Sequence, residues 1–428
     1  MENYINYLTK YNPSIEKIFS RNLKETLNAL YEICKTKEEK VYLVGGIVRD
    51  IFLGKNSSDI DMVIEGNSQE FAKHILPKFP VSKHRYTERF LTYNIFMKSG
   101  TNIDIASFRS EVYEYPGALP TVKYSSIEND YTRRDFTINS MYVSFDKRAE
   151  LYDPLNALED IKNKTIRIIH DKSFEDDPTR IFRAIKFAGR YDFSFDDNTE
   201  RCLIEAMEKN FLSSISNLRL KNEFYMLVSE KKLSNILSLF RKYKIFDYLN
   251  IPNPSDEDIK EISEIVKKSS FRKIKEKHKI SRGNFIIMYL IRNLSYNEKI
   301  EVLKTFEIGK KNLETILFEE GEAENIILDL RKSFKPSEIY LSLKHISPFK
   351  ILSLLYILKK NRKKIKSYIY EISDKSGIIS GSDLIDIGLE QNSFFKNYLE
   401  KCFCIQLDME NPDKKKILSK LKKELKLN

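Results

Sequence analysis

Two aspartates in one short apolar segment are the residues of this sequence best suited to chemistry. Asp59 and Asp61 lie in the segment DIDMVI, whose other residues are apolar. Alternate residues of a strand point to the same face, so both carboxylates are predicted to project together from a rigid support. Such a pair suits a hard, oxygen-seeking cation such as Mg²⁺, which keeps its other coordination positions for water and phosphate oxygens.

A glycine turn precedes the two aspartates. Gly45 and Gly46 follow VYLV, a run typical of a buried strand, and precede a predicted helix from Ile47 to Leu53 that ends at Gly54. Glycines at the start of a helix, followed closely by Arg49, suit a polyphosphate. Taken separately, an Asp-x-Asp pair is usually a solvated strand end, and a Gly-Gly pair is usually a tight turn. Together they predict nucleotidyl transfer.

Composition limits the class of protein. The chain has 428 residues, of which 41% are hydrophobic and 32% charged, so we expect an ordinary folded protein with more than one domain. Lys and Arg outnumber Asp and Glu by 73 to 62, and the net charge of +11 favours an anionic partner such as nucleic acid. No run of 18 apolar residues and no signal-peptide pattern occurs, which predicts a cytoplasmic protein without a membrane partner.

The four cysteines do not change this picture. Cys34, Cys202, Cys402 and Cys404 show neither a paired metal-binding spacing nor a disulfide framework, so buried thiols are the expected state. His170-Asp171 invites comparison with HD-type metal phosphohydrolases. That reaction needs further His and Asp ligands downstream, and we reject the interpretation because only two histidines follow.

The run GGIVRD, a later glycine and DID together resemble motif A of the nucleotidyltransferase superfamily. Specifically, they are similar to the class II branch, which holds tRNA CCA-adding enzymes and bacterial poly(A) polymerases. This resemblance implies an α+β fold, with a mixed α/β head similar to that of polymerase beta and an all-α neck, body and tail. The implied domains are N-terminal helices at 1–40, the catalytic head at 41–150, a neck with a nucleotide-selecting helix at 151–230, an RNA-binding helical body at 231–370 and a helical tail at 371–428.

A second motif supports the same family. TRRDFTINS, from Thr132 to Ser140, resembles the RRDxTIN motif B of class II enzymes. Arg133 and Arg134 offer planar cationic donors for triphosphate oxygens, whereas Asp135 and Asn139 can hydrogen-bond the hydroxyls of a ribose. A pair of surface arginines would otherwise be structural or solvated.

A third carboxylate and a long loop are predicted between these motifs. Asp104 lies on the polar side of an apolar strand, Asn102 to Phe108, and could complete the metal site or be an ordinary exposed aspartate. Relatives have an acidic residue near this position. Residues 108–129 are polar, aromatic and interrupted by prolines, which predicts a long surface loop. In the resembled enzymes a flexible loop here helps to switch between CTP and ATP, and its full length favours addition of the terminal A.

Two further segments resemble motifs C and D. In LYDPLNALEDIKNKTIR, Asp153, Pro154, Asp160 and Arg167 match motif C, while Asn156 and Ala157 replace its glycines. Ala157 removes an option for positive φ, which leaves the flexibility of this element open.

FEDDPTRIFRAIKFAGR resembles motif D, the EDxxR amino-acid template. We expect a helix that opens at Asp177 as N-cap and Pro178 as first residue. The resemblance assigns nucleotide binding to Asp177, Arg180, Arg183 and Lys186. The structural alternative is a capped helix with a basic face.

The C-terminal half is predicted to be helical and basic. Arg219 and Glu223 match motif E, and their i, i+4 spacing favours a stabilising ion pair within one helix. Three lysine-rich stretches follow at 267–279, 359–366 and 414–426, each by itself typical of a solvated helix face. Together they offer an attractive surface to an RNA backbone.

The predicted function is a template-independent tRNA nucleotidyltransferase that adds or repairs the 3′ CCA, at least its A, from CTP and ATP. Asp59 and Asp61 would bind Mg²⁺ and act in catalysis with Asp104, while Gly45, Gly46 and Arg49 would bind the nucleotide with the residues of motifs B and D. The closest alternative is a poly(A) polymerase or an enzyme that adds only A. An inactive RNA-binding relative and a small-molecule nucleotidyltransferase are disfavoured by the intact motifs.

Overall fold

A mixed seven-stranded sheet organises the N-terminal half of the chain in the computed structural model, which describes residues 3–36, 39–57, 59–391 and 393–425. The strand order is β3-β4-β5-β2-β1-β8-β9. The strands are β1 Val41–Val44, β2 Asp59–Ile64, β3 Val81–Thr87, β4 Thr92–Met97, β5 Asn102–Ser107, β6 Arg109–Val112, β7 Thr121–Tyr124, β8 Tyr142–Ser144, β9 Leu151–Tyr152, β10 Thr165–Ile166 and β11 Ser194–Phe195. Strands β6 and β7 pair separately, as do β10 and β11.

Strand β2 lies near the centre of this sheet. It pairs in parallel with β5 and antiparallel with β1, so it has a neighbour on each side. Its residues Ile60, Met62, Val63 and Ile64 are buried, as their apolar character predicts. The central position gives the two aspartates of β2 a support that cannot slip in register without exposing this apolar face.

Helices α4 and α5 contact the sheet, and helices continue along the chain beyond it to residue 242. They are α1 Tyr4–Leu8, α2 Ile15–Ile18, α3 Arg21–Cys34, α4 Gly46–Phe52, α5 Ser68–Ile75, α6 Ile127–Thr132, α7 Ala157–Lys162, α8 Ser173–Asp176, α9 Thr179–Tyr191, α10 Asp197–Glu208, α11 Asn217–Val228 and α12 Leu233–Lys242. Residues of α1 to α3, among them Tyr4, Leu27 and Tyr31, share one hydrophobic core with the sheet. The N-terminal helices are therefore part of the head core, although the sequence analysis gives 1–40 as a separate segment.

Helix α9 is the principal element after the head. Ile181, Ala184, Ile185 and Ala188 are buried, as the i, i+3, i+4, i+7 spacing predicts. The helix begins at Thr179, because Asp177 ends the short helix α8 and Pro178 stands at the N-cap position. The predicted start, with Asp177 as N-cap and Pro178 as first residue, is therefore one residue too early. Asp177 nevertheless accepts a hydrogen bond from the Thr179 backbone N–H at 3.1 Å.

Two other local expectations change. The long loop predicted at 108–129 contains the antiparallel hairpin of β6 and β7, so only 113–120 form its tip. In the segment that resembles motif C, Asn156 adopts the left-handed conformation with φ of 55°, and Ala157 begins helix α7. Asparagine tolerates this conformation better than other residues with a side chain. Because Asn156 has the positive φ, Ala157 does not need one.

The chain divides into two compact units, Met1–Ile245 and Phe246–Asn428. This division is coarser than the five predicted segments, whose boundaries stay a prediction. Helices are the regular elements of the second unit, whose described residues contain no strand, and Lys426 of the last basic stretch lies outside those residues. Its helices are α13 Ile245–Tyr248 at the boundary, α14 Asp256–Lys267, α15 Ser269–Lys277, α16 Arg282–Leu290, α17 Tyr296–Thr305, α18 Lys310–Ile316, α19 Glu322–Lys332, α20 Pro336–Leu343, α21 Pro348–Leu352, α22 Arg362–Ser367, α23 Gly381–Ile385, α24 Phe395–Leu407 and α25 Lys414–Leu425.

The predicted α+β fold, a mixed head followed by helices, is confirmed. Among the described helices, none combines the length and the apolar character that crossing a membrane requires.

Candidate active site

Asp59, Asp61 and Asp104 lie on one face of adjacent strands. Asp61 of β2 is the register partner of Asp104 on β5, because the two strands run parallel. Asp104 accepts a hydrogen bond from Asn94 Nδ2 at 2.7 Å, and Asp59 accepts one from Asn102 Nδ2 at 2.8 Å. The structure therefore brings together, on one face of the sheet, the three carboxylates that the sequence selected.

Asp61 lies in an electrostatically unfavourable position for a carboxylate. Burial and the neighbouring Asp104 raise its pKa to about 6, although Arg134 and the backbone N–H of Gly46 oppose that change. Like charges gathered in a poorly solvated place favour a cation between them. Asp61 and Asp59 therefore fit the hard divalent ion that the sequence predicts.

Asp104, the third carboxylate, contributes more than Asp59 to the raised pKa of Asp61. Within the described parts of the chain, no three Asp, Glu, His or Cys side chains are grouped so that they could hold a metal ion. Asp104 keeps its hydrogen bond to Asn94, and burial raises its pKa. The donor set thus fits two protein carboxylates with phosphate and water oxygens as the other ligands. A catalytic role of Asp104 stays a prediction.

The glycine turn packs directly against Asp61. Gly45 has φ of 69° and ψ of −129°, a conformation that residues with a side chain rarely adopt. A Cβ at Gly45 would lie 3.3 Å from Asp61 Oδ2, and the Gly46 N–H donates to the same oxygen at 3.3 Å. Glycine is therefore required here both by the backbone and by the close approach of the carboxylate.

Arg49 is an internal connector in this structure. Its side chain is buried and donates to Asp50 Oδ1 at 3.0 Å and to Asn139 Oδ1 at 2.6 Å. The guanidinium also lies over the rings of Phe187 and Tyr191, at 5.1 and 5.0 Å from their centroids. The structure thus joins Arg49 to motif B. The contact between Arg49 and a triphosphate stays a prediction.

Asp130 is a buried residue that sequence reasoning missed. Its two oxygens accept from Arg133 Nη2 at 2.6 Å and Arg134 Nη2 at 2.8 Å, and Tyr142 OH donates to it at 2.8 Å. Burial would raise its pKa, but Arg134 and Arg133 hold that pKa well below the usual range. The signal was present in the sequence, since Asp130 precedes the two arginines by three and four positions near the end of helix α6.

Motif B and motif D are joined through Asp135. Its Oδ2 pairs with Arg183 Nε at 2.7 Å, and its Oδ1 accepts from Asn139 Nδ2 at 3.0 Å. Burial opposes its ionisation, yet Arg183 and Asn139 together lower the pKa to about 2. Arg49, Asn139, Asp135 and Arg183 thus form one continuous chain of polar contacts from helix α4 to helix α9.

The remaining residues of α9 differ in their partners. Arg180 is buried and donates to Ser173 Oγ and to the Arg133 carbonyl oxygen, both at 2.8 Å. Lys186 is half-buried and has no ion pair with any residue that the structure describes. Burial, Arg190 and Arg183 all lower its pKa. An anion such as a phosphate would relieve this accumulation of positive charge.

Arg219 does not form the predicted ion pair within its own helix. Instead of Glu223 it contacts Asp177 Oδ1 at 2.9 Å and the Gly117 carbonyl oxygen at 2.8 Å. The preferred interpretation of the i, i+4 spacing is therefore wrong, because partners from other elements lie within reach. The pairing could not be found from sequence spacing, since Gly117 and Asp177 are distant along the chain.

Part of the chain matches a known protein family. Residues 41–167 match the model of the poly A polymerase head domain. An A-adding tRNA nucleotidyltransferase of Aquifex aeolicus is 33% identical over 343 residues, which are 78% of this chain and 40% of the relative. The chain spans only 40% to 49% of the length of the first three curated relatives that it matches.

Solved structures match over nearly the whole chain. The Thermotoga maritima CCA-adding enzyme in complex with tRNA has a TM-score of 0.72 and 27% identity, with 99% of each chain covered. A CCA-adding enzyme in complex with CTP has a TM-score of 0.73 and 26% identity, again with 99% of each chain covered. Residues 41–167 therefore belong to the family of the poly A polymerase head domain, and the chain as a whole is similar to A-adding and CCA-adding tRNA nucleotidyltransferases.

Proposed function

We propose that this chain is a template-independent tRNA nucleotidyltransferase that adds or repairs the 3′-terminal CCA, at least its A, from CTP and ATP with Mg²⁺. The observation that supports this most directly is Asp61, a half-buried carboxylate beside Asp59 and Asp104 that touches the glycine turn. The similarity to A-adding and CCA-adding enzymes supports the choice of tRNA as substrate. A tRNA substrate also favours the cytoplasmic location predicted from the sequence.

The metal would be held by Asp59 and Asp61. When bound, Mg²⁺ would supply positive charge that stabilises the phosphates during in-line displacement of pyrophosphate by the RNA 3′ hydroxyl. Arg133, Arg134 and Lys186 would bind the triphosphate as fixed cations, and Asp130 keeps the two arginines oriented.

Sugar and base would be recognised by motifs B and D. Asp135 and Asn139, ordered by Arg183 and Arg49, would hydrogen-bond the ribose hydroxyls. Cytosine and adenine both present an amine donor beside a ring-nitrogen acceptor, whereas uracil and guanine present the reverse order. A carboxylate accepts and a guanidinium donates, so Asp177 and Arg180 together match C and A.

One assay tests the proposal against its alternatives. The protein is incubated with three tRNAs that lack CCA, CA or only A, and one labelled nucleotide is supplied at a time. We expect C, C and then A to be added in sequence, with no further extension. Addition of A alone to the tRNA that ends in CC would indicate an A-adding enzyme, which the A-adding relatives make the principal alternative. Long A tails would indicate a poly(A) polymerase, and no incorporation would contradict the proposal.

A further inference from the structure

Arg219 joins two parts of the first unit that are far apart in sequence. It lies in helix α11 and donates through Nη1 to the Gly117 carbonyl oxygen at 2.8 Å and through Nη2 to Asp177 Oδ1 at 2.9 Å. Its side chain is 30% exposed and that of Asp177 is 23% exposed. The planar fork of a guanidinium can make both bonds at once, which the ammonium of a lysine cannot do with the same geometry.

The donors to Asp177 all use one oxygen. Oδ1 accepts from the Thr179 N–H at 3.1 Å, from Thr179 Oγ1 at 2.8 Å and from Arg219 Nη2 at 2.9 Å. Across the described ranges, no hydrogen bond is made to Oδ2 of Asp177. Three donors on one oxygen fix the plane of the carboxylate and leave the other oxygen for a further donor.

The Gly117 carbonyl oxygen is itself held in a defined place. Gly117 lies at the tip of the β6–β7 hairpin with φ of 75°, and it is buried. A Cβ at this position would clash with Ser214 Oγ and would lie 3.2 Å from the Ser214 carbonyl carbon. Only glycine therefore allows the tip to approach this segment so closely, and the approach places the carbonyl oxygen against Arg219.

We propose that Arg219 is a positioning residue for base selection, which orients the carboxylate of Asp177 from the docked hairpin tip. The free Oδ2 then faces the amine donor that cytosine and adenine share. This inference rests on the proposed function, since it assigns a role at the same nucleotide site. It extends that site to helix α11 and to the tip of the β6–β7 hairpin. Arg219 itself would not touch the base.

The proposal predicts a loss of discrimination, not a loss of chemistry. In Arg219→Ala the carboxylate keeps the two Thr179 donors but loses the charged one, so it can rotate and accept other base edges. A charged hydrogen bond contributes enough for the ratio of kcat/KM for CTP over UTP to fall by about tenfold. Arg219→Met, which keeps the length and the apolar stem, should have the same effect.

A change at Gly117, whose carbonyl oxygen contacts Arg219, should also lower discrimination between CTP and UTP. Gly117→Ala introduces a Cβ that Ser214 excludes, so the tip must shift and its carbonyl oxygen must leave Arg219. We therefore expect Gly117→Ala to lower the CTP-over-UTP ratio as well. Because both changes break one connection, the double variant should be no worse than the more severe single variant.

The experiment measures kcat/KM for CTP and UTP on a tRNA that lacks CCA, together with thermal melting and tRNA affinity. The control is Arg201→Ala, which removes an exposed arginine paired with Glu205 on helix α10. A tenfold lower ratio in Arg219→Ala, unchanged tRNA affinity and a non-additive double variant would support the proposal. A folded Arg219→Ala with the wild-type ratio would overturn it, as would strict additivity with Gly117→Ala.

The experiment distinguishes failure of the positioning role from failure of the proposed function. If Arg219→Ala does not fold, Arg219→Met decides by the same ratio. If the wild-type protein transfers no nucleotide to any tRNA, the proposed function fails, whereas active wild type with unaltered Arg219 variants contradicts the positioning role alone.

Discussion

At the scale of single residues, Asp61 shows a conflict between stability and chemistry. Its half-buried carboxylate lies beside Asp104 and Asp59, and desolvation together with these charges raises its pKa to about 6. A carboxyl group whose pKa is higher in the folded protein destabilises the fold progressively as pH rises from its unfolded pKa to its folded pKa, because its charged form is better solvated in the unfolded chain. Such an arrangement is expected where a cation completes the site.

The first prediction separates these two properties. Asp61→Ala and Asp59→Ala should reduce nucleotide transfer by roughly a hundredfold or more, because no neighbour replaces the lost charge. Asp61→Asn should do the same while its melting temperature stays equal or rises, since a half-buried like charge is removed. Steady-state transfer in Mg²⁺ and thermal melting check this, with the exposed Asp197→Asn as control. Retention of more than about a tenth of the rate would contradict the assignment.

Asp135 has the opposite electrostatics, and it allows a prediction about pH. Its pKa is lowered from 3.8 to about 2, so its ionised form stabilises the folded protein above its unfolded pKa. That stabilisation, about 2 kcal/mol, should be lost as pH falls from about 4 to about 2. Asp135→Asn should therefore melt lower at neutral pH and show a flatter pH dependence in this acid range. Parallel curves for the two proteins would contradict the pairing with Arg183.

At the scale of elements, helix α9 serves the core and the site at once. Ile181, Ala184 and Ile185 are fully buried, so the rotation of the helix about its axis is determined by packing. That rotation in turn determines where Arg180 and Arg183 lie, and each is engaged by motif B through Arg133 or Asp135. Rigid support of this kind is what base selection by side chains requires.

The prediction at this scale concerns base choice. Asp177→Ala and Arg180→Ala should lose incorporation of both CTP and ATP and relax the rejection of UTP and GTP. A mispaired buried polar group costs about 1–3 kcal/mol, so discrimination should fall by roughly ten- to a hundredfold. Competition assays with mixed nucleotides measure the ratio directly.

Stability must be measured beside base choice, because Arg180 also binds Ser173 and Arg133. Arg190→Ala is a suitable control, since it removes an ion pair with Glu230 from the same helix. A folded Asp177→Ala protein that still rejects UTP as strongly as wild type would show that the helix is only capped.

At the scale of the whole molecule, positive charge is the property that concerns RNA. The net charge is +11, and the second unit contains the three lysine-rich stretches. Their lysines are not equivalent in the structure. Lys359 pairs with Glu261 at 2.6 Å, and Lys364 donates to the Leu330 carbonyl oxygen at 2.5 Å. Lys360 and Lys363 are exposed, which makes them the better candidates for phosphate contacts.

The last prediction tests these two lysines. Binding of tRNA should weaken steeply with salt, because contacts between lysine and phosphate release counterions. Lys360→Gln combined with Lys363→Gln should lower the log–log slope by about 1 to 2 if both side chains touch phosphates. Fluorescence titrations at several salt concentrations provide the slope, with the exposed pair Lys17→Gln and Lys78→Gln in the first unit as control. An equal slope in wild type and variant would show that the stretch 359–366 is only a solvated helix face.

Much of the head could be predicted where side chains alternate or repeat regularly. β4 and β5 follow from period-two alternation, and α5 follows from its helical spacing. β3 was missed because its residues are mostly polar and exposed, as an edge strand permits. The β6–β7 hairpin was missed because the prolines and glycine of its tip are typical of an unstructured loop.

The sequence by itself determined which residues could do chemistry and which local elements present them. Asp59 and Asp61 share a face because a strand has a period of two, and Gly45 turns the chain because it lacks a Cβ. Only the tertiary structure decided which charges pair. Arg49 donates a hydrogen bond to Asn139, and Arg219 pairs with Asp177 instead of Glu223. Buried charges require partners, but those partners are chosen by the packing of distant elements, which local spacing does not contain.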